Sequence, residues 1–410
     1  MPTRRRKTKE RGASTSKSKK NGQMGTPVRV ITYNVLSSHL RDPQRFTKCT
    51  QKALDPNGSY KKLIKRLEKE IAANDASSSP IFCLQEVSRL WAGRLTAWFS
   101  SRGYSFVPSL YGREFNGYMG CAIAVPSASF EIMDCKIDRL SETQDFWPVD
   151  PAKELAWKNR FKKKDKEIVK AEKEGWWKRF CRFFASSPGE EEEEEAKEKT
   201  AETEMPKPHE EEIPEYFTKA RYRHNTVIAV QISPASGTGG KFWVGNYHMP
   251  CAFWSPPLMS IHAALLGQYM EALSKNSRIP FVLAGDFNFS PESAQYELMV
   301  TGKLSPLATD SMPVFPSWWE STWMPTLKRG LRSAYKEHFG HEPDCTNYAY
   351  IEPGPDPFID TLDYIFISKN IDVINVRELP SRLDINGPMP NKQYESDHLL
   401  MCSDLQIHST

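Results

Sequence analysis

The chain has 410 residues, of which 39% are hydrophobic and 26% charged, and its formal net charge is +4 at pH 7. That length allows one large domain or two ordinary ones, and that composition allows a packed core with excess polar sequence. No apolar run reaches the roughly 18 residues of a membrane span, and no apolar leader opens the chain. We therefore expect an intracellular monomer, nuclear or cytoplasmic, rather than a secreted or membrane-spanning protein.

The cysteines argue against a structural zinc site, because no two of them are separated by two to four residues. They stand singly at Cys49, Cys83, Cys121, Cys135, Cys181, Cys251, Cys345 and Cys402. Cys83, Cys121 and Cys402 lie inside apolar runs, so we expect them to be reduced thiols in the core.

The N-terminal segment is strongly basic. Residues 1–20 hold nine Lys or Arg residues against a single acid, Glu10. Such a run cannot bury apolar area, which predicts a disordered tail over residues 1–26. The tail fits a solvated segment, a nuclear-import signal or an arm that binds nucleic acid.

Apolar patterning predicts strands and helices interspersed from about Pro27 to the C-terminus. The predicted strands are Val28–Thr32, Ile81–Leu84, Asn225–Ile232, Phe242–Tyr247, Phe281–Ala284, Thr361–Ile367 and His398–Leu405. Helical spacing is found in Leu54–Ala73, Arg89–Ser100 and Ser260–Leu273. The runs Cys121–Val125 and Phe130–Cys135 are typical of a hairpin. Interspersed elements with half-buried strands predict an α/β or α+β domain of stacked sheets, residues 27–410.

A charged segment interrupts this pattern at about residues 141–216. Lys and Glu dominate it, and it includes the acidic run Glu190–Glu195. That composition predicts a solvated insertion that is partly helical and partly disordered. Within it, residues 176–184 mix aromatic and basic side chains, which suits a peripheral membrane surface, a nucleic-acid strand or a partner protein. The same aromatics could instead fold back onto the core.

Polar side chains stand at the ends of several of the apolar runs. They are Asn34, Glu86, His248, Asp286, Asn288, Asp363, Asp397 and His398. Each alone would fit a cap, a turn or a surface pair, but buried carboxylates are costly without partners, so their repetition indicates one shared cleft. Carboxylate and amide oxygens suit Mg²⁺, or Mn²⁺, and histidines can donate to phosphate. The pattern predicts metal-assisted phosphoryl chemistry.

Six short motifs occur in one order along the chain. They are Thr-Tyr-Asn-Val-Leu (32–36), Leu-Gln-Glu-Val (84–87), Asn-Tyr-His (246–248), Gly-Asp-Phe-Asn (285–288), Leu-Asp-Tyr-Ile-Phe (362–366) and Ser-Asp-His (396–398). This order resembles the endonuclease/exonuclease/phosphatase superfamily of DNase I-like enzymes, nearest to the CCR4/Angel/nocturnin-like deadenylase branch. The resemblance implies a four-layer sandwich of two mostly antiparallel sheets packed face to face, with helices on the outer faces.

The resemblance also implies roles on the metal side of the site. Glu86 would be the main Mg²⁺ ligand, with Asn34 beside it, and Asp397 would be a further carboxylate near the metal. Asp286 would orient or deprotonate the attacking water, or bind a second metal.

On the substrate side, the resemblance implies that His398 faces the phosphoryl group and that Asp363 fixes the tautomer of His398. Asn288 and His248 would contact the phosphate. Phe358, five residues before Asp363, would stack on a base, although it would also fit a loop or core aromatic.

The function implied is a Mg²⁺-dependent phosphodiesterase that trims RNA 3′ ends, such as poly(A), in the 3′-to-5′ direction. The alternative is a phosphatase or phosphodiesterase acting on a small molecule, a lipid head group or a DNA end. A third hypothesis is a binding scaffold without catalytic activity.

Two departures from the family pattern bear on which base the protein would prefer. Phe253 stands where the branch usually has Pro, and a Pro-rich stretch at residues 352–357 precedes Phe358.

Overall fold

A computed structural model describes residues 25–73, 79–148, 212–275, 278–351 and 356–408. Fourteen strands are found in these ranges. They are β1 Thr26–Asn34, β2 Ile81–Val87, β3 Tyr104–Leu110, β4 Gly120–Pro126, β5 Phe130–Arg139, β6 Thr226–Pro234, β7 Phe242–His248, β8 Phe281–Asp286, β9 Arg332–Ser333, β10 Asn347–Ala349, β11 Phe358–Asp360, β12 Asp363–Ile367, β13 Ile371–Val376 and β14 Met401–Ile407.

Seven α-helices lie in the same described part of the chain. They are α1 Gln51–Leu54, α2 Pro56–Ala72, α3 Arg89–Ser100, α4 Glu215–Arg221, α5 Pro256–Leu273, α6 Ala294–Thr301 and α7 Ala334–Phe339. Local sequence explains where several begin. The Asp55 carboxylate accepts from the Gly58 amide at 2.6 Å at the start of α2, and Ser88 caps α3 by accepting from the Trp91 amide.

Twelve of these strands form two six-stranded sheets, one ordered β13-β14-β1-β2-β4-β3 and the other β5-β6-β7-β8-β12-β9, while β10 and β11 form a separate ribbon. Each six-stranded sheet has one parallel pair, β1 with β2 and β7 with β8, and its other pairs are antiparallel. The two sheets are therefore mixed but mostly antiparallel.

The sheets pack face to face, with helices on both outer faces. Between them lies one apolar layer that includes Val30 and Ile123 from the first sheet and Val244 and Ile365 from the second. Helices α2 and α3 cover the outer face of the first sheet, and α5 covers that of the second. The predicted four-layer sandwich is confirmed.

The predicted hairpin of Cys121–Val125 with Phe130–Cys135 is wrong. The first run lies in β4, which pairs with β2 and β3 of the first sheet, whereas the second lies in β5, which pairs with β6 of the second sheet. The short connection between them carries the chain from one sheet to the other. Alternation of apolar residues identifies a strand but not its partner, which is set by the packing of the two sheets.

Both ends of the predicted insertion are packed onto the core. Phe146 is buried and stacks on Trp323 with ring centroids 3.9 Å apart, and Phe217 in α4 is buried in the same cluster. Described residues at both ends of the predicted insertion therefore belong to the packed core. Residues 149–211, with the aromatic and basic patch at 176–184, and tail residues 1–24 lie outside the described residues, so the proposed division of the chain stays a prediction.

The cysteines expected in the core, Cys83, Cys121 and Cys402, are buried and free. None of the helices in the described ranges combines the length and the apolarity that crossing a membrane requires.

His262, in α5, is a fully buried histidine that ties this helix to its neighbours. Its Nε2 lies 3.0 Å from the Ala220 carbonyl oxygen and its Nδ1 lies 3.0 Å from the Tyr247 hydroxyl. Because a carbonyl oxygen can only accept, Nε2 must carry the proton and Nδ1 must accept from the tyrosine. Burial lowers the pKa of His262 to about 3. The ring is therefore neutral in the folded protein at neutral pH.

We expect His262 to make the folded state sensitive to acid. The unfolded chain binds a proton here below about pH 6.5, whereas the folded state resists it until about pH 3, so stability is lost as the pH falls through that window. The full effect is about 5 kcal/mol. The measurement is the free energy of unfolding from urea titrations at pH 7, 6, 5 and 4. As the pH falls, this free energy should decline less steeply for His262→Gln than for wild type, by the slope that corresponds to about one bound proton. Equal slopes in the two proteins would contradict this.

Candidate active site

Three neighbouring strands of the second sheet bring three of the predicted side chains onto one row. In the parallel pairing of β7 with β8, His248 lies opposite Asp286, and in the antiparallel pairing of β8 with β12, Asp286 lies opposite Asp363. The order His248, Asp286, Asp363 is therefore a consequence of strand register.

A glycine makes this close pairing feasible. At Gly285, the residue before Asp286, a Cβ atom would lie 2.0 Å from the Tyr247 carbonyl oxygen, and φ is +156°. No residue with a side chain fits there without moving β8 away from β7. Gly285 thus allows Asp286 to lie beside His248.

The first sheet contributes Asn34, from the end of β1. Its Nδ2 donates to Asp286 Oδ2 at 2.9 Å, a bond that joins the two sheets. Its Oδ1 accepts from the Leu36 amide at 3.0 Å, which fixes the orientation of the side-chain amide. Asn34 is fully buried, so this bond is shielded from competing water.

Glu86 reaches the cleft through an irregularity in β2. The pairing of β2 with β4 shifts register between Leu84 and Val87, and Glu86 has a φ of +56°. A bulge next to a site redirects a side chain, and a left-handed non-glycine residue costs about 1–3 kcal/mol. The carboxylate Oε2 then accepts from the Ser37 amide at 2.9 Å. The strained conformation turns Glu86 toward the edge where β1 ends.

His398 and Asp363 form a buried pair. His398 Nδ1 lies 2.7 Å from Asp363 Oδ2, and the Asp363 amide donates to Thr346 Oγ1 at 3.0 Å. The other carboxylate oxygen, Asp363 Oδ1, is buried and has no hydrogen-bond partner among the described residues. This bond leaves His398 Nε2 pointing into the cleft, 3.6 Å from Asp286 Oδ2.

Asp286 lies at the centre of the site. Its Oδ2 is 3.6 Å from Nε2 of both His248 and His398, and its Oδ1 accepts from the Asn288 amide at 3.0 Å. Asn288 has a φ of +51°, and its Nδ2 donates to the Met249 carbonyl oxygen at 2.8 Å. His248 Nδ1 is buried without a hydrogen-bond partner among the described residues.

The pKa values of three acids in the cleft are shifted in different directions. Burial raises the pKa of Asp286, and Asp363 adds to the rise, although His398 and His248 oppose it. Burial raises the pKa of Asp397 too. For Glu86, burial acts in the same direction, but His248 and the Ser37 amide outweigh it and the pKa lies below its ordinary value. Glu86 therefore stays ionised more easily than Asp286 or Asp397.

The imidazole of His398 is held charged. Burial by itself lowers the pKa of His398, but the carboxylates of Asp363 and Asp286 more than compensate, and the pKa lies well above its ordinary value. A protonated ring donates from both nitrogens, so Nε2–H can bind an oxyanion while Nδ1–H stays on Asp363.

The donor set fits a divalent metal. Asp286, Asp363 and His398 offer atoms within 4.8 Å of one another. In this arrangement Asp363 and His398 already bind each other, so an ion there would have to break a 2.7 Å bond. Glu86 and Asp397 interact electrostatically with each other and supply carboxylates on the side where Asn34 ends β1. Oxygen donors of this kind suit a hard divalent cation.

Two supporting networks were not predicted from the sequence. Glu395 is buried, accepts from the Tyr33 hydroxyl at 2.9 Å and pairs with Arg66 of α2 at 2.6 Å, which anchors the segment leading to Asp397 and His398. Gln85 Nε2 donates to Asn246 Oδ1 at 2.8 Å and joins the sheets below the cleft. Both Gln85 and Asn246 lie inside the short motifs, beside the residues that were singled out.

The aromatic residues that bear on base choice are exposed. Phe358 lies in β11 opposite Ala349, and its side chain is 49% exposed. Phe253, in the loop after His248, is 75% exposed and packs edge-on against Trp254 with centroids 5.1 Å apart. The interpretation of Phe358 as a core aromatic is therefore wrong, and both rings are open to a ligand.

Sequence relatives include Carbon catabolite repressor protein 4 homolog 4 of Arabidopsis thaliana, 31% identical over 178 residues, which are 40% of this chain and 37% of that protein. The 2′,5′-phosphodiesterase 12 of Mus musculus is 26% identical over 194 residues, 45% of this chain and 29% of that protein. The chain thus matches only about a third of the length of these curated relatives.

A solved structure of ANGEL2, described as a 2′,3′-cyclic phosphatase in complex with adenosine-2′,3′-vanadate, superimposes with a TM-score of 0.63 at 18% identity, covering 93% of this chain and 96% of that one. The human Nocturnin catalytic domain gives 0.52 at 18% identity, with coverages of 93% and 94%. These likenesses show the fold, and the sequence relatives support the predicted CCR4/Angel/nocturnin-like branch. The family model described as Endonuclease/Exonuclease/phosphatase family matches residues 31–398, so the chain belongs to this family of hydrolytic nucleases and phosphatases.

Proposed function

We propose that the chain is a divalent-metal-dependent phosphodiesterase that hydrolyses RNA from its 3′ end and releases nucleoside monophosphates. The observation that carries the proposal is the row of His248, Asp286 and Asp363 with His398 bound to its last member. It puts a carboxylate between two imidazoles that can face a phosphate from either side. A carboxylate in that position can accept a proton from a water that attacks the phosphorus.

The chain's own residues account for most of the reaction. Asp286 takes a proton from water as the water oxygen bonds to phosphorus. The bond from phosphorus to the 3′ oxygen breaks, and that oxygen takes a proton from solvent. His398 donates from Nε2 to the phosphoryl oxygen on which charge develops, and Asp363 keeps the ring in place. Asn288 and His248 would hold the remaining phosphate oxygens.

The same proposal assigns a metal to the opposite side of the cleft. Glu86 would hold a divalent cation, with Asn34 and Asp397 beside it, and we propose Mg²⁺, with Mn²⁺ as a substitute. When bound, the ion would neutralise charge on the phosphate.

We propose RNA as the substrate because two exposed aromatic residues each lie five positions along the chain from a residue of the row, Phe253 from His248 and Phe358 from Asp363. Phe358 and Phe253 offer flat surfaces on which unpaired bases can stack, at about 1–3 kcal/mol per base. One sequence relative is the CCR4-Not complex 3′-5′-exoribonuclease subunit Ccr4 of Neurospora crassa, 26% identical over 136 residues. A nuclear or cytoplasmic location belongs to the same proposal.

A small phosphoester is the second candidate, favoured by the buried position of the catalytic row. Asp286, Asp363 and His398 are each at most 5% exposed, which suits a compact phosphate group as well as a strand end. A phospholipid head group or a DNA end would fit on the same grounds.

The proposal is tested with one purified sample on a panel of substrates, with Mg²⁺ and with a chelator. The panel holds oligo(A), oligo(U), oligo(dA), a nucleoside 2′,3′-cyclic phosphate and a phospholipid head group. We expect stepwise release of nucleoside monophosphates from the RNA oligomers, abolished by chelation and restored by Mg²⁺ or Mn²⁺. Turnover confined to a small phosphoester would replace the RNA proposal with the second candidate, and activity that persists in chelator would remove the metal from it.

A further inference from the structure

Arg41 is a buried arginine in the loop that follows β1, and it is only 5% exposed. Its Nη2 donates to the carbonyl oxygens of Val35 and Leu36, each at 3.0 Å. Its Nη1 donates to Ser59 Oγ, in α2, at 2.9 Å. The Cζ atom also lies 5.3 Å from the centroid of the Trp91 ring, in α3. Three hydrogen bonds and an aromatic ring therefore hold the guanidinium in one orientation.

The hydrogen bonds of Arg41 go to uncharged oxygens, and none of them goes to a carboxylate of the described residues. Two other partly buried arginines, Arg66 and Arg377, each pair with a glutamate instead. Burial lowers the pKa of Arg41 to about 10, and nearby acids, Asp397 first among them, oppose that change, so the guanidinium is charged at pH 7. A buried cation costs free energy unless its donors are bound. Here backbone carbonyls bind them, so the cation and the turn after β1 stabilise each other.

The two carbonyl groups belong to peptide groups whose N–H groups orient side chains of the site. The Val35 carbonyl and the Leu36 N–H share one planar peptide, and that N–H donates to Asn34 Oδ1 at 3.0 Å. The Leu36 carbonyl and the Ser37 N–H share the next peptide, and that N–H donates to Glu86 Oε2 at 2.9 Å. In a trans peptide the C=O and the N–H point in opposite directions, so holding one fixes the other. The guanidinium on one side of the turn therefore sets the direction of two donors on the other side.

The turn needs such support because Leu36 has a φ of +52°, a conformation that is strained for a residue with a side chain. A cation that binds a carbonyl oxygen also polarises the peptide, which strengthens the hydrogen bond donated by its N–H. We propose that Arg41 is a positioning residue, which holds Asn34 and Glu86 in the orientation required on the metal side of the cleft. The inference rests on the metal site of the proposed function.

The test measures Mn²⁺ binding without substrate, by isothermal titration calorimetry, to wild type and to Arg41→Met. We expect the Kd for Mn²⁺ to rise by about tenfold or more in the variant, the lower end of the range for residues that support metal ligands. Hydrolysis of an RNA oligomer should need a correspondingly higher Mg²⁺ concentration for its half-maximal rate, and kcat should recover as the Mg²⁺ concentration is raised. Arg41→Lys keeps the charge but replaces the planar fork with a single nitrogen, so its Kd should rise less.

Arg29→Met is the matched control, because Arg29 lies near the start of β1, away from the site, and pairs with Asp404 at 2.6 Å. It should bind Mn²⁺ as wild type does, even where urea unfolding shows a loss of stability. If Arg41→Met loses stability but keeps the wild-type Kd for Mn²⁺, its role is only structural and the inference is overturned. Should Arg41→Met fail to fold, a wild-type Kd in Arg41→Lys would overturn the inference as well. If wild type itself binds no Mn²⁺, the metal site of the proposed function fails, and the inference fails with it.

Discussion

Replacing Asp286 with Asn is expected to lower kcat by about a thousandfold or more, within the range for loss of a general base. The amide keeps the volume of the carboxylate but cannot take a proton from water. In the wild-type protein the Asn288 amide donates to Asp286 Oδ1 at 3.0 Å, and the side-chain oxygen of the introduced Asn can accept the same hydrogen bond. Binding of substrate should change far less than kcat, because His248, Asn288 and His398 remain in place.

The measurement is single-turnover hydrolysis of an RNA oligomer by wild type and variant, with urea unfolding of both. Asp372→Asn, which changes an exposed carboxylate on β13, is the control and should be fully active. The removal of a buried carboxylate that is only 1% exposed should not weaken the fold, since burial disfavours its charged form. A variant that folds normally and turns over within tenfold of wild type would exclude Asp286 as the base.

The row of His248, Asp286 and Asp363 was predictable from sequence because its signal is local. A polar residue at either end of a buried apolar run can be recognised without knowing the partners of the strand. His248 and Asp286 each follow such a run, and Asp363 opens one. The ends of strands that meet at one edge of a sheet must lie close together, so these polar side chains were expected to converge in one cleft. The metal, water and phosphate roles assigned to these residues remain predictions.

The strand partners and side-chain pairs that the sequence did not predict depend on tertiary packing. Nothing local distinguishes the strand partners of β4 and β5, which lie in different sheets. Glu395 and Arg66 are 329 positions apart, and their pairing appears only when α2 covers the first sheet.

His398→Ala is expected to lower kcat by about a hundred to a thousandfold, the usual effect of removing one donor to a developing oxyanion. It also leaves the Asp363 carboxylate buried and unpaired, which costs about 3–5 kcal/mol when one partner of a buried pair is removed. The loss of activity must therefore be separated from a loss of stability. Asp363→Asn provides the means, because it removes the charge and keeps the shape of the side chain.

If Asp363 acts through His398, the two substitutions should not be additive. Asp363→Asn alone should slow turnover, since the imidazole loses the negative charge that holds its proton on Nδ1 and raises its pKa. The double variant should be no slower than His398→Ala, because there is no ring left to orient, and it should be more stable than His398→Ala, because no uncompensated charge remains buried. Full additivity of the two effects on kcat would instead mean that Asp363 contacts the substrate or a metal directly, through the buried Oδ1 that has no hydrogen-bond partner among the described residues.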